Sequence, residues 1–197
     1  MMAMARFCPN KNNVRKHKTK PTMLNCIFNI LLLLFTYPVG NYQEAQPSDI
    51  QGVIKLAKYA SWPAEKQNGK TIIMIAPQSD ESFQLALDKG ANSKILDSDV
   101  EIRRISKIDD DISQADVVFI ESGTSFDASK IIEKVAGRQI LTITNDLEIL
   151  GKGCMFYVKQ DHETGQTTYF FNKEAVLNSP LGISTYILAP DHKYQKQ

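Results

Sequence analysis

At 197 residues, 43% of them hydrophobic, the chain is long enough to bury one core of ordinary size. It carries 23 lysines and arginines against 22 aspartates and glutamates, and that balance leaves no basic stripe for nucleic acid. No internal repeat and no low-complexity tract interrupts it.

The first segment reads as a leader. Residues 11–20, KNNVRKHKTK, are basic, and Met23–Val39 is an apolar run without a charge, the pattern of an export signal. The run lies at or just below the ~17–25 residues that cross a bilayer. It therefore reads as a signal peptide cleaved between Gly40 and Gln46, or as an uncleaved inner-membrane anchor over 23–39. Cys26 precedes the leucine run, which argues against a lipoprotein site. Six of the 23 basic and one of the 22 acidic residues fall in residues 1–45, so the remaining segment, 46–197, carries a net charge of −4. Cys8 and Cys26 also fall in the leader, leaving Cys154 with no partner for an internal disulfide. Set in GCMFYV, it reads as a small buried hydrophobe.

Beyond the polar linker NYQEAQPSD, Ser48 or Asp49 can cap a helix in which Ile50, Val53, Ile54, Ala57 and Ala60 recur at helical spacing. Pro63 stops the run, which places Trp62, the sole tryptophan, at the helix end. TIIMIA (71–76) reads as a strand. SDESFQLALDKG reads as a helix, with a capping box only in part because Ser82 replaces the usual glutamate. DVEIRRI (99–105) alternates as a half-buried strand, and ADVVFIES (115–122) is a continuous buried one. A helix capped near Ser125 or Asp127 and ended by Gly137 follows, then the strand RQILTIT (138–144). GCMFYVKQ and QTTYFFN flank the turn DHETG as a β-hairpin. A last helix is expected from Asn172 to before Pro190, kinked at Ser179–Pro180. Apolar strands separated by helices predict an α/β fold, three-layer α/β/α and flavodoxin- or Rossmann-like. The sheet is expected to be mostly parallel, with a C-terminal antiparallel hairpin.

In such sheets ligands bind at the carboxyl ends of the strands. The candidates there are Ser122, Gly123 and Thr124, in the ESGTS loop before a helix N-terminus that could hold a small anion, together with Asn145 and Asp146. Catalytic readings lack their residues. No G-x-G-x-x-G, P-loop or G-x-S-x-G occurs, and GKG at 151–153 lies in the wrong context. His17, His162 and His192 fall in the leader, a turn and the tail, where none makes a metal ligand or general base. A phosphoacceptor domain would need an aspartate where Glu121 stands and a lysine after the strand that carries Thr144. No cofactor, metal or catalytic residue is expected.

IKLAKYASWP, ADVVFIESG, ILTITND, GKGCMFYV, YFFN and GISTYILAP occur in an order and spacing that resembles the YfiR-like family, over residues 50–189. The resemblance implies an exported, non-catalytic α/β domain. Such a domain would be a periplasmic homodimer that controls an inner-membrane signalling protein, either a diguanylate cyclase, as the family's repressor does, or a sensor kinase. The repressor's paired cysteines are missing here, which makes an internal redox switch unexpected and leaves only a Cys154–Cys154 bridge between monomers. Tyr59, Trp62 and Pro63 then stand as a partner-binding or latch segment, the plainer alternative being that Trp62 only anchors the first helix to the sheet. The competing function is a periplasmic anion-binding protein without a protein partner.

Overall fold

The apolar runs become neighbouring strands. This computed structural model describes residues 49–62, 69–161 and 163–188. The leader and linker, Ser48, Pro63, His17, His162 and His192 lie outside those residues.

Helix α1 (Ile50–Ala57) and the two-residue strand β1 (Ala60–Ser61) come first. Strand β2 (Lys70–Ala76), helix α2 (Asp80–Gly90), and strands β3 (Lys94–Ile95) and β4 (Ser98–Arg104) follow. After a 3-10 turn at Ile112–Gln114 come β5 (Val117–Ile120), α3 (Ala128–Val135), β6 (Leu141–Thr144) and α4 (Leu147–Gly151). The hairpin β7 (Phe156–Gln160) and β8 (Thr167–Phe171), helix α5 (Lys173–Leu177), β9 (Gly182–Ile183) and a 3-10 turn at Thr185–Leu188 complete the described residues. Among the described residues no helix is long and apolar enough to cross a membrane.

The domain is mixed α/β. Seven strands form one sheet in the order β3-β4-β2-β5-β6-β7-β8. From β4 to β7 neighbouring strands run parallel, while β3 and β8 pair antiparallel at the two edges. The expected hairpin is therefore present, and a second antiparallel strand that the sequence did not announce closes the far edge.

The sheet is covered on both faces, which is why its central strands β5 and β6 are buried throughout. The threonines of β6 hydrogen-bond within the fold, Thr144 Oγ1 donating to the Ile120 carbonyl and Thr142 Oγ1 accepting the Met155 N–H. Ile73, Ile75, Val117 and Phe119 join Ile50, Val53, Ile54 and Ala57 of α1 in one cluster. Met74, Ala76, Val118 and Ile120 join Ala128, Ile131 and Val135 of α3 in the other. Side chains that alternate along a strand enter opposite cores. Helix α1 lies close on β7: a Cβ added at Gly52 would come within 2.7 Å of Val158 Cγ2. Helix α2 opens with a complete capping box, because the Ser82 hydroxyl accepts the Ser79 N–H at 3.1 Å and Ser79 Oγ accepts the Ser82 N–H at 3.1 Å. Serine thus does the work usually assigned to glutamate.

Two expectations at the chain ends are corrected. The first helix ends at Ala57 with Lys58 as its C-cap, so Trp62 does not terminate it. Ala60 and Ser61 instead pair antiparallel with Ile183 and Gly182 of β9. The last helix does not run to residue 189; it ends at Leu177, and the chain past Pro180 is extended before the 3-10 turn. Proline removes an N–H and pushes the preceding residue out of the helical region, so Pro180 breaks the helix where a kink was expected. Gly182 then admits close approach to β1, since a Cβ there would meet Ser61 Oγ at 2.2 Å.

Candidate functional site

The residues expected at the strand ends do come together. Past β5, the Ser122 N–H donates to Asn145 Oδ1 at 2.6 Å, and Ser122 Oγ donates to Asp146 Oδ2 at 3.0 Å. Gly123 has φ of 74° and lies over Gln78, which a Cβ would approach to 3.2 Å; only glycine takes that conformation without strain. Thr124 Oγ1 accepts the Phe126 N–H at 3.4 Å, so it serves the turn into α3.

Asn145 also faces the other way. Its Nδ2 donates to Asp49 Oδ2 at 2.9 Å, and Asp49 Oδ1 accepts the Gln160 N–H at 2.7 Å. Asp49 holds the N-cap position of α1 but makes no side-chain capping bond. The sequence reading gave it that local role, whereas it turns inward, buried, and joins α1 to β6 and β7. Gln160 enters through its backbone alone, which no side-chain pattern could announce.

The electrostatics of this edge are negative. Asp146 Oδ1 accepts the Glu148 and Ile149 N–H groups and so caps α4. Asp127 caps α3 by accepting the Ser129 N–H at 3.0 Å. The helix ends that could have received an anion thus already carry carboxylates. The Tyr157 phenol is pushed up by burial, with the charges of Asp49 and Asp146 adding to the effect. Glu121 is buried and engaged: its Oε2 accepts the Gln78 N–H at 2.8 Å and the Ser82 hydroxyl at 2.6 Å, fixing the start of α2 to the end of β5. Among the described residues no group of three or more His, Cys, Asp or Glu could hold a metal. Cys154 is buried beside Thr142 and Phe156, and desolvation pushes its thiol up to about 12.

The second candidate segment lies elsewhere. The Tyr59 ring stacks on that of Tyr186, with centroids 5.8 Å apart and planes 19° from parallel. The Ser184 N–H donates to the Tyr59 carbonyl at 2.9 Å and holds the two segments in register. Tyr59 is 39% exposed, Tyr186 72% and Leu96 68%. Tyr59, Leu96 and Ile183 line an open groove over the β1–β9 pair. Trp62 is half-buried against the α1-side cluster, as an anchor would be, yet its indole N–H is buried and meets no acceptor among the described residues. Tyr186 and Leu96 were missed in the sequence because an exposed apolar side chain looks the same there as a buried one.

A family model described as YfiR/HmsC-like matches residues 49–189. No curated protein matches the chain.

Proposed function

The chain belongs to the YfiR/HmsC-like family, and from that premise we propose that it is an exported, non-catalytic signalling regulator. It docks in the periplasm, as a homodimer, onto an inner-membrane diguanylate cyclase or sensor kinase. Residues 1–45 direct its export, by a cleaved signal or by an anchor over 23–39, and residues 46–197 form the regulatory domain. The domain is three-layered and flavodoxin-like in this reading, supported by a hydrophobic cluster on each sheet face and by the parallel strand order β4-β2-β5-β6-β7.

The observation that carries the docking role is the stacked, exposed pair Tyr59 and Tyr186 beside Leu96. Aromatic side chains held rigidly at the surface are the usual anchors of protein interfaces. Tyr59 and Trp62, with Pro63, then act as the latch segment, coupled to the C-terminal strand through β1–β9. The competing reading, an anion site at Ser122, Gly123, Thr124, Asn145 and Asp146, has against it the carboxylates of Asp127 and Asp146 at the helix ends.

The test is retention of membrane proteins on residues 46–197 as bait, with Tyr186→Ala as the paired control. Recovery of an inner-membrane cyclase or kinase by the wild type, lost with Tyr186→Ala, supports docking through this face. Equal recovery by both baits moves the interface elsewhere, and no recovery at low micromolar bait removes the reading. A Trp62→Phe variant that folds but no longer signals would assign the latch role to Trp62.

A further inference from the structure

Helix α5 carries an apolar knob on one flank and an apolar hole on the other. The knob is Leu177, the last residue of the helix, which is 70% exposed. A single exposed leucine is ordinary on a protein surface and carries nothing alone. The hole is a groove of about 140 Å³ beside α5 and α3, lined by Ile132, Val135, Ile140, Met155 and Ala175. Arg138 is the one charged side chain on its lining, and it is exposed and free to turn to water. The volume is close to the ~150 Å³ of an apolar cavity left when one large side chain is removed. A helix turns about 100° per residue, so Ala175 and Leu177 lie about 160° apart around α5. Glu174 and Asn178 project between them, on the side away from the buried Val176. Both are exposed, and neither side chain makes a hydrogen bond or ion pair among the described residues.

We propose that a second copy of this chain binds here, across a two-fold axis perpendicular to α5 at the level of Val176. Such an axis lays the two α5 helices antiparallel. It sets position 177 of one protomer against 175 of the other, and 178 against 174. Each Leu177 then fills the groove of the other protomer, because knob and hole stand on opposite flanks of the same helix. Each Asn178 amide donates to the Glu174 carboxylate across the axis, a charge-assisted bond for two groups that lack partners within the chain. The operation that seats one knob seats the other, so the contact closes on itself and does not extend into a filament. This interface rests on the homodimer of the proposed function and gives it a location. It leaves the groove beside Tyr59 open, since the two grooves share no residue.

Sedimentation equilibrium of the full-length chain, from about 1 to 100 μM, reads the association. A monomer–dimer equilibrium is expected, with a dissociation constant of about 10 μM or lower. Leu177→Ser should weaken it at least about tenfold. Leu177 is exposed, so this variant keeps the fold, and an unchanged circular dichroism spectrum verifies that. Leu177→Met, of similar volume, should dimerise like the wild type. A benzophenone side chain placed at position 177 should cross-link to residues 132–140 or 153–155 of an isotope-labelled second copy. Tyr186→Ala should dimerise like the wild type, so failure of this interface and failure of the docking face are read in different variants. A wild type that stays monomeric at about 100 μM leaves the groove to another partner and overturns the dimer. A dimer unchanged in Leu177→Ser or lost in Tyr186→Ala, or cross-links confined to other segments, overturns it as well.

Discussion

Asp49 and Asn145, 96 residues apart in sequence, meet through the Asn145 amide at 2.9 Å. The same carboxylate accepts the Gln160 N–H, so one side chain fastens the start of α1 to the ends of β6 and β7. Replacing it by alanine leaves two donors without their acceptor in a buried place. Asp49→Ala should lower stability by about 2–4 kcal/mol, and Asp49→Asn, which keeps one acceptor oxygen, by about half as much. Urea unfolding reads both; a loss under about 0.5 kcal/mol for Asp49→Ala would mean that the network carries no weight.

At Gly52 two effects oppose each other. Alanine gains about 1 kcal/mol of helix propensity, but its Cβ would come within 2.7 Å of Val158 Cγ2. Val158 is fully buried and β-branched, so it has little freedom to move aside. Overpacking of this kind costs about 1–3 kcal/mol. Gly52→Ala should therefore be neutral to destabilising, with its urea midpoint at or below that of the wild type; a raised midpoint would show that α1 can lift off β7.

Cys154 should be inert in the folded domain. With its thiol buried and pushed up to about 12, almost no thiolate forms at neutral pH. A thiol reagent at neutral pH should label this position only as fast as the domain unfolds, and no Cys154–Cys154 dimer should appear on a non-reducing gel after native oxidation. Rapid native labelling would contradict the burial.

The Arg103 guanidinium, and after it Lys70, hold the Glu101 carboxyl below its ordinary value near 4.5. A carboxylate whose folded pKa is depressed contributes stability above its unfolded value and loses it as pH falls through the folded one. The pair is partly solvated, so the effect is small. Glu101→Gln should lower the melting temperature slightly at neutral pH, and the two curves should draw together as pH falls through the depressed Glu101 value, below the ordinary 4.5. Curves that stay parallel across the acid range would rule out this ion pair as a source of stability.

The central sheet was legible because β5 and β6 are buried on both faces, which leaves β5 continuously apolar and β6 made of β-branched and apolar residues, and the buried side of α1 followed from its spacing. The element ends were less so. Helical periodicity extends through Ala60, yet Ala60 and Ser61 take backbone partners from Gly182 and Ile183, and local spacing carries no trace of a partner that distant. The last helix was overextended for a related reason: Pro180 stops it, but what the freed chain then pairs with is decided by β1. At the strand ends the polar residues were found, and their mutual bonds were not. Asp49 could as well have capped α1; that it turns to Asn145 and Gln160 depends on how α1 is placed over β7.

The pairing of β1 with β9 also sets an order of events. Ser61 Oγ donates to the Gly182 carbonyl across 121 residues of sequence. At ~5–20 residues per second a ribosome takes about 6–24 s between those two positions. For that interval β1 has no partner strand. A chain that stops short of Gly182 would keep the strands of its central sheet and lack this two-residue ladder.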